Sequence, residues 1–374
     1  MNLLETPTQT LNNIVLPTNK TEHYRHFNIK SVLDQNLTQA DVQEIEPKVS
    51  NSIEITNGTL TQISENVVVT LEESSGGNEN HFDSLYKLSH HLSKKIVSIK
   101  VTSSLEEPLK ILHKITEDSA LVVYRIKIEV AENVSASVFE EFDFSNASNS
   151  LLIYGYDLKA DAYANLEFVR DQKNFVNNVI GSHQVDIEKN GNVELKTFDF
   201  SIMKNIHMYN IDLAEYANLD SSHLVYSKEN ATLGNVLYVN HIGKHSVSKQ
   251  TAKYILGDSA HAIFDGKIRV ENSAAYSSAK QNSKSLILGN KAGVRMYAKP
   301  QLEIFIDELE ASHGSSSGQL DNKQLFYLKS RGINETEAKK MLILAFANEL
   351  IYKVKDEALQ EKIQESFNEV HTKG

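Results

Sequence analysis

"EKNGNVELKTFDF", residues 188–200, decides how the middle of the chain folds. Asn190 and Gly191 mark a turn. Val193 and Leu195, then Phe198 and Phe200, follow as an alternating strand pattern. The strand is introduced by a small residue, any residue, then an aliphatic one. That triplet recurs at Ala136 ("ASV"), Ala164 ("ANL"), Gly191 ("GNV"), Ala217 ("ANL"), Ala231 ("ATL"), Ala260 ("AHAI") and Ala292 ("AGV"). Most starts are about 26–32 residues apart, with one interval near 14. Strand patterns also follow at Leu237 and Val239 and at Ile268 and Val270, and "SKEN" and "LGDSA" supply further turns.

Stacked β coils need this pattern: a small residue passes a tight corner, and an aliphatic one then points into a narrow core. Only five prolines occur, so long strands are seldom broken. An antiparallel sandwich with turn signals at its strand ends satisfies the same triplets. Three zones are expected: a mixed, partly helical region over 1–78, a β core over 79–317 and a helical region over 318–374.

The last zone carries helix signals. Asp321 with Gln324 resembles a capping box, and "NKQLFYLKSRG" predicts a short helix ending at Gly332. Asn334 with Glu337 caps a second helix, with Ala338, Met341, Leu342, Ala345 and Phe346 as its expected apolar face. A third, over 356–370, places Leu359, Ile363, Phe367 and Val370 on one stripe.

The chain has 374 residues, a hydrophobic share of 40% and a formal net charge of -11. This is the composition of a soluble globular protein, and no basic run suits nucleic acid. No apolar run approaches the roughly 20 residues needed to cross a bilayer, and the N-terminus lacks a secretory signal pattern. There is no cysteine, hence no thiolate ligand or nucleophile in this chain, which fits a reducing, cytoplasmic setting.

Chemistry-bearing residues are few. "FDGKI" (264–268) has a Gly–Lys pair but lacks the remainder of a P-loop. His241 and His245 fall in a strand and turn, where a four-residue spacing does not bring two rings together; they read as structural or solvated. His90 and His91 read as solvated. His313, in "ASHGSSSGQLD" (311–321), follows Asp307, Glu308 and Glu310. It admits a metal reading with carboxylates, a general-base reading with a nearby serine, and a plain polar loop joining sheet to helix.

The stretch "KPQLEIFIDELEASHGSSSGQLDNKQLFYLKSRGI", residues 299–333, resembles the SufB/SufD family of iron–sulfur cluster assembly proteins, and within it the SufD members. "LPTNKTEHYRHFNI" (16–29) and "HSVSKQTAKYILGDSAHAIFDGKIRV" (245–270) add to the likeness. The resemblance implies a right-handed parallel β-helix with N- and C-terminal helical parts. It also implies a non-catalytic scaffold subunit of a SufBCD-type complex. Such a subunit pairs with SufB through the β-helix and docks the SufC ATPase through its C-terminal helices; a homodimer is compatible when SufB is absent. The nascent iron–sulfur cluster and reduced flavin belong to the complex, with no cofactor tightly bound to this chain alone. His313 falls on the family histidine at the SufB–SufD junction, where it would ligate iron together with partner ligands or relay protons. Ala311 stands where some SufD proteins carry cysteine, so sulfur held there must come from the partner. Phe326, Tyr327 and Arg331 match the terminal helix motif and mark the region that would pack on the β core or meet SufC. The competing readings are a β-helix carbohydrate-active enzyme, for which no Asp or Arg recurs at rung spacing, and a purely structural solenoid.

Overall fold

The computed structural model describes residues 1–93, 95–144, 147–174, 176–288 and 293–372. Within them the triplets sit at corners, and each turn of the chain gives one strand to each of two sheets. A short 3-10 turn (Glu22–Tyr24) and helix α1 (Lys30–Leu33) come first. They are followed by β1 (Thr38–Gln39), β2 (Lys48–Ser50), β3 (Ser52–Thr56), β4 (Thr59–Ser64), β5 (Val68–Glu73) and helix α2 (Ser84–Leu92). The winding begins with β6 (Lys95–Val101), β7 (Leu109–Lys114), β8 (Ala120–Val130), β9 (Ser135–Asp143), β10 (Leu151–Ala160) and β11 (Asn165–Asn174). It continues through β12 (Asn178–Ile187), β13 (Asn192–Ser201), β14 (Lys204–Leu213), β15 (Asn218–Ser227) and β16 (Thr232–His241). It closes with β17 (Val247–Leu256), β18 (His261–Val270), β19 (Ser277–Ile287), β20 (Arg295–Ile304) and β21 (Leu309–Gly318). Helices α3 (Asn322–Ser330), α4 (Glu335–Ile351) and α5 (Glu357–Thr372) end the chain.

From β6 and β7 onward every strand pairs in parallel with the strand two places later, which makes a parallel β-solenoid and not a sandwich. The corners explain the triplets. Tyr163, Asn190 and Tyr216 take left-handed backbone, at φ 59°, 57° and 57°. The next residue, Ala164, Gly191 or Ala217, then donates its N–H to the carbonyl of Asp161, Glu188 or Ala214. At Gly191 a Cβ would meet Glu188 O at 2.9 Å, whereas the same corner one rung before Ala164 takes Val134. Ala231 and Ala260 serve the opposite corner, ahead of β16 and β18, so the short interval is half a turn. Ala136 lies one residue inside β9, and Ala292 falls outside the described residues.

Three apolar layers result. The lumen between the sheets holds residues such as Ile126, Leu158, Val185, Leu219 and Leu237. The outer face of the even-numbered sheet packs on the N-terminal segment and α2, through Phe27, Val32, Leu85, Ile153 and Met208. The outer face of the odd-numbered sheet packs on α4 and α5, where Phe198, Phe200 and Tyr226 meet Ile343, Leu350, Ile363 and Phe367. Polar ties fix α5 and α4 on that face: Lys362 to Glu141 at 2.7 Å, Ser366 to Asp171 at 2.7 Å, and Lys253 to Glu349.

The helix signals hold in outline. The Asp321 side chain accepts from Lys323 N, Asn334 accepts from Glu337 N, and Gly332 is left-handed at φ 89°. The face of α4 needs correction. Ala338 is buried, but the other core residues are Ile343, Ala347, Leu350 and Ile351, while Met341 is exposed. The run "MLILAF" (341–346) is apolar all round, so periodicity could not choose the side that meets the sheet. Among the described residues no helix is long and apolar enough to cross a membrane.

Candidate functional site

The two ends of the solenoid finish differently. At the first, β5 runs antiparallel to β6, and β3 runs antiparallel to β4, so the parallel winding stops there. At the second, β20 and β21 are the terminal strands of their sheets, and no described strand pairs with their outer edges. Such an edge is a row of unpaired N–H and C=O groups that invites another chain. Pro300 is placed accordingly. Arg295 N and Phe305 N donate back to Ala260 O and Val270 O, so the alternate residues of β20, Pro300 among them, face outward. The proline removes a donor from the open edge and none from the ladder.

Register carries the site inward from this end. Phe168, Leu195, Ser221, Gln250, Gln281 and His313 stand in one line across the odd-numbered sheet. Register partners share a face of the sheet. This line faces the lumen and turns from apolar to polar towards the open end. Gln281 Nε2 donates to Gln250 Oε1 at 3.0 Å, and both residues are buried. His313 is exposed because no further rung covers it. The neighbouring line runs Glu140, Arg170, Thr197, His223, Ala252, Ser283 and Ser315.

Deeper in the lumen lies a polar network that the sequence did not announce. Arg170 Nη2 donates to both oxygens of Asp199 at 3.0 Å, and its Nη1 donates to Tyr209 OH at 2.5 Å. His207 Nδ1 lies 3.0 Å from Arg170 Nη1 and 3.2 Å from His183 Nε2. His113 Nε2 lies 3.0 Å from Glu140 Oε1. Gly181 makes room for the imidazole pair, since a Cβ there would meet His207 Nδ1 at 2.2 Å. Burial, with the Arg170 charge beside them, pushes His183 and His207 well below the ordinary imidazole value and His223 down to about 3. All three are neutral near pH 7. Among the described residues no group of three or more His, Asp or Glu is placed to hold a metal ion.

The expected site residues are distributed unevenly. Glu310 sits an odd number of residues from His313 on β21 and so faces the other side of the sheet. Ser315 and Ser317 share the side of His313, yet among the described residues none is hydrogen-bonded to it, which leaves the serine–histidine reading without a pair. Helix α3 buries no residue. Phe326 is 73% exposed, Tyr327 is 57% exposed, and Arg331 stacks over Tyr327 at 5.4 Å. His241 is buried at the end of β16 between Ser246 and Ser248, while His245 stacks on Tyr216 and Tyr276 at the corner, so the two rings serve structure separately. His91 is exposed, but His90 is not solvated: it is buried in α2 with Nε2 3.1 Å from Asp157 Oδ2. That partner lies too far along the chain for local pattern to show. Carboxylates at rung spacing also occur, as Asp186 and Asp212 on the outer face. Gln184 donates to both and Asn240 to Asp212, which uses them as structure. The Gly266–Lys267 pair lies mid-strand in β18, paired on both sides, and forms no phosphate loop.

The family model described as "SUF system FeS cluster assembly, SufBD core domain" matches residues 113–346, from β7 through the open end into α4. The chain belongs to the SufB/SufD family of iron–sulfur cluster assembly proteins. It is 27% identical to the iron–sulfur cluster assembly protein SufD of Escherichia coli over 285 residues, 74% of this chain and 67% of that one. It is 32% identical to SufD of Bacillus subtilis over 144 residues, 38% of this chain and 32% of the relative. A SufBD-family assembly protein of Synechocystis is 35% identical over 131 residues, 35% of this chain and 28% of the relative. The match thus spans about two thirds of the first relative and a third or less of the others. Kinship within the family is with SufD, and the role is in iron–sulfur cluster assembly.

Proposed function

We propose that this chain is a SufD-like scaffold subunit that pairs with SufB across the open end of the solenoid and docks the SufC ATPase through its C-terminal helices. The observation that carries this reading is the unequal finish of the two ends: one is closed by antiparallel strands, and at the other no described strand pairs with the outer edges of β20 and β21 around a polar lumen mouth. A second solenoid with a matching edge would extend the sheet from β21, whose outer edge carries no proline, and cover His313. The exposed Phe326 and Tyr327 on α3 support docking outside the β body. The chain is not catalytic by itself; ATP hydrolysis belongs to SufC.

The cluster under construction is cargo at this junction. His313 would offer iron one imidazole nitrogen or carry a proton, and the remaining ligands, thiolates included, come from the partner because this chain has no cysteine. Reduced flavin acts in the complex. The Gly266–Lys267 pair lies inside a fully paired strand and does not fit its phosphate.

His313→Ala tests the role of the residue. Co-expressed with SufB and SufC, the variant is expected to assemble normally while iron and acid-labile sulfide fall at least about tenfold, the scale of losing a group that orients or tunes a metal site. Full loading of the variant complex would remove His313 from the chemistry.

A further inference from the structure

The last polar rungs of the lumen contain a buried acceptor with no hydrogen-bond partner among the described residues. Gln281 is only 3% exposed. Its Nε2 donates to Gln250 Oε1 at 3.0 Å, and its Oε1 has no hydrogen-bond partner. A buried amide oxygen left unpaired bears its full desolvation penalty. The residue in register with Gln281 on the outer side is His313. Parallel register partners stand about 4.8 Å apart with side chains on one face. One rung below, that separation already lets two glutamines bond to each other. Gly266, across the lumen in β18, keeps the amide in this column, because a Cβ there would meet Gln281 Nε2 at 2.3 Å.

We propose that Gln281 is a positioning residue for His313: its Oε1 accepts the Nδ1–H of the imidazole and so holds Nε2 unprotonated and directed out of the lumen mouth. Nδ1 is the ring nitrogen nearer the backbone and therefore nearer the rung beneath, while Nε2 reaches towards whatever covers the open end. Rotation of the exposed His313 side chain over Gln281 completes the ladder Gln250–Gln281–His313. A histidine left to solvent exchanges between tautomers. One fixed in this way presents a lone pair at a defined place, as second partners do for metal-binding histidines. The role assigned to Nε2 rests on the proposed function; the hydrogen bond itself does not.

The test is tautomer-sensitive nitrogen NMR of the full chain with labelled histidine, at a pH where His313 is neutral. Its signals are identified by their loss in His313→Ala. The wild type is expected to show His313 mainly as the Nδ1–H form. Gln281→Leu, which keeps the volume and removes the acceptor, is expected to return it to the Nε2–H preference of a free imidazole. Gln281→Glu restores an acceptor and is expected to restore the Nδ1–H form, which separates loss of the bond from disturbance of the fold. An Nε2–H form in the wild type, or tautomer ratios unchanged across the three chains, overturns the proposal. If the ratios shift as expected while His313→Ala still loads clusters fully, the positioning stands and the cluster role of His313 falls.

Discussion

Arg170→Leu is expected to destabilise the fold by about 3–5 kcal/mol, because it leaves a buried charge without its partner. Arg170 is fully buried in the lumen, and Asp199, which it holds through two hydrogen bonds of 3.0 Å, is 2% exposed. Leucine fills part of the space but offers Asp199 no donor, and it strips Tyr209 and His207 of the guanidinium as well. The urea midpoint of the purified chain measures the loss. Removing both charges, as Arg170→Leu with Asp199→Leu, is expected to recover most of it, since an apolar pair avoids desolvating either ion. A single-variant loss under about 1 kcal/mol would mean that the network is not dry, contrary to the burial on which the loss depends.

Asp171 gives the second large effect, through pH. It lies buried between β11 and α5, accepting from Ser366 Oγ at 2.7 Å. Burial drives its carboxyl up from 3.8 to about 7. The Ser366 hydroxyl, Lys173 and Lys362 pull the other way, and Glu141 adds to the rise. Glu141 is itself held by Lys362 at 2.7 Å and Lys110 at 2.9 Å, and Lys173 by Glu369 at 2.5 Å. The folded chain therefore retains a proton that the unfolded chain has released between about pH 4 and pH 7. Stability is fully present below the unfolded value and is lost as pH rises through the folded one. A shift of this size corresponds to something on the order of 4 kcal/mol. Asp171→Asn keeps an acceptor for Ser366 and cannot ionise, so it is expected to remove that slope and to be more stable than the wild type at pH 8. Denaturation midpoints from pH 5 to pH 8 measure it. Parallel profiles for the two chains would contradict the assignment.

Several corners were legible in the sequence because a left-handed residue is followed there by a small one, as at Ala164, Gly191 and Ala217; Val134 after Asn133 departs from that pattern. Stacking them in parallel register was not, since Phe168, Leu195, Ser221, Gln250, Gln281 and His313 lie at unequal spacings and become a line only when the strands pair. His313 stood out by its motif, whereas Gln281, the residue beneath it, carried no local signal. His90 misled for the same reason: its carboxylate is on β10. Arg170 and Asp199 carry no local signal, and only closure of the lumen puts them inside.

The central claim is that the open end is the pairing surface. Ser278 N donates to Ser246 O, so the odd residues of β19 face β21, and the odd residues of β21, Ser315 among them, turn their N–H groups outward. Ser315→Pro deletes one outward donor and no ladder bond, and should leave the isolated chain folded. Light scattering on size-exclusion chromatography of this chain with SufB is the direct measurement. The wild type should form a one-to-one complex, and Ser315→Pro, equally folded, should not. Equal complex formation by both chains, or none by the wild type, would contradict pairing through this edge.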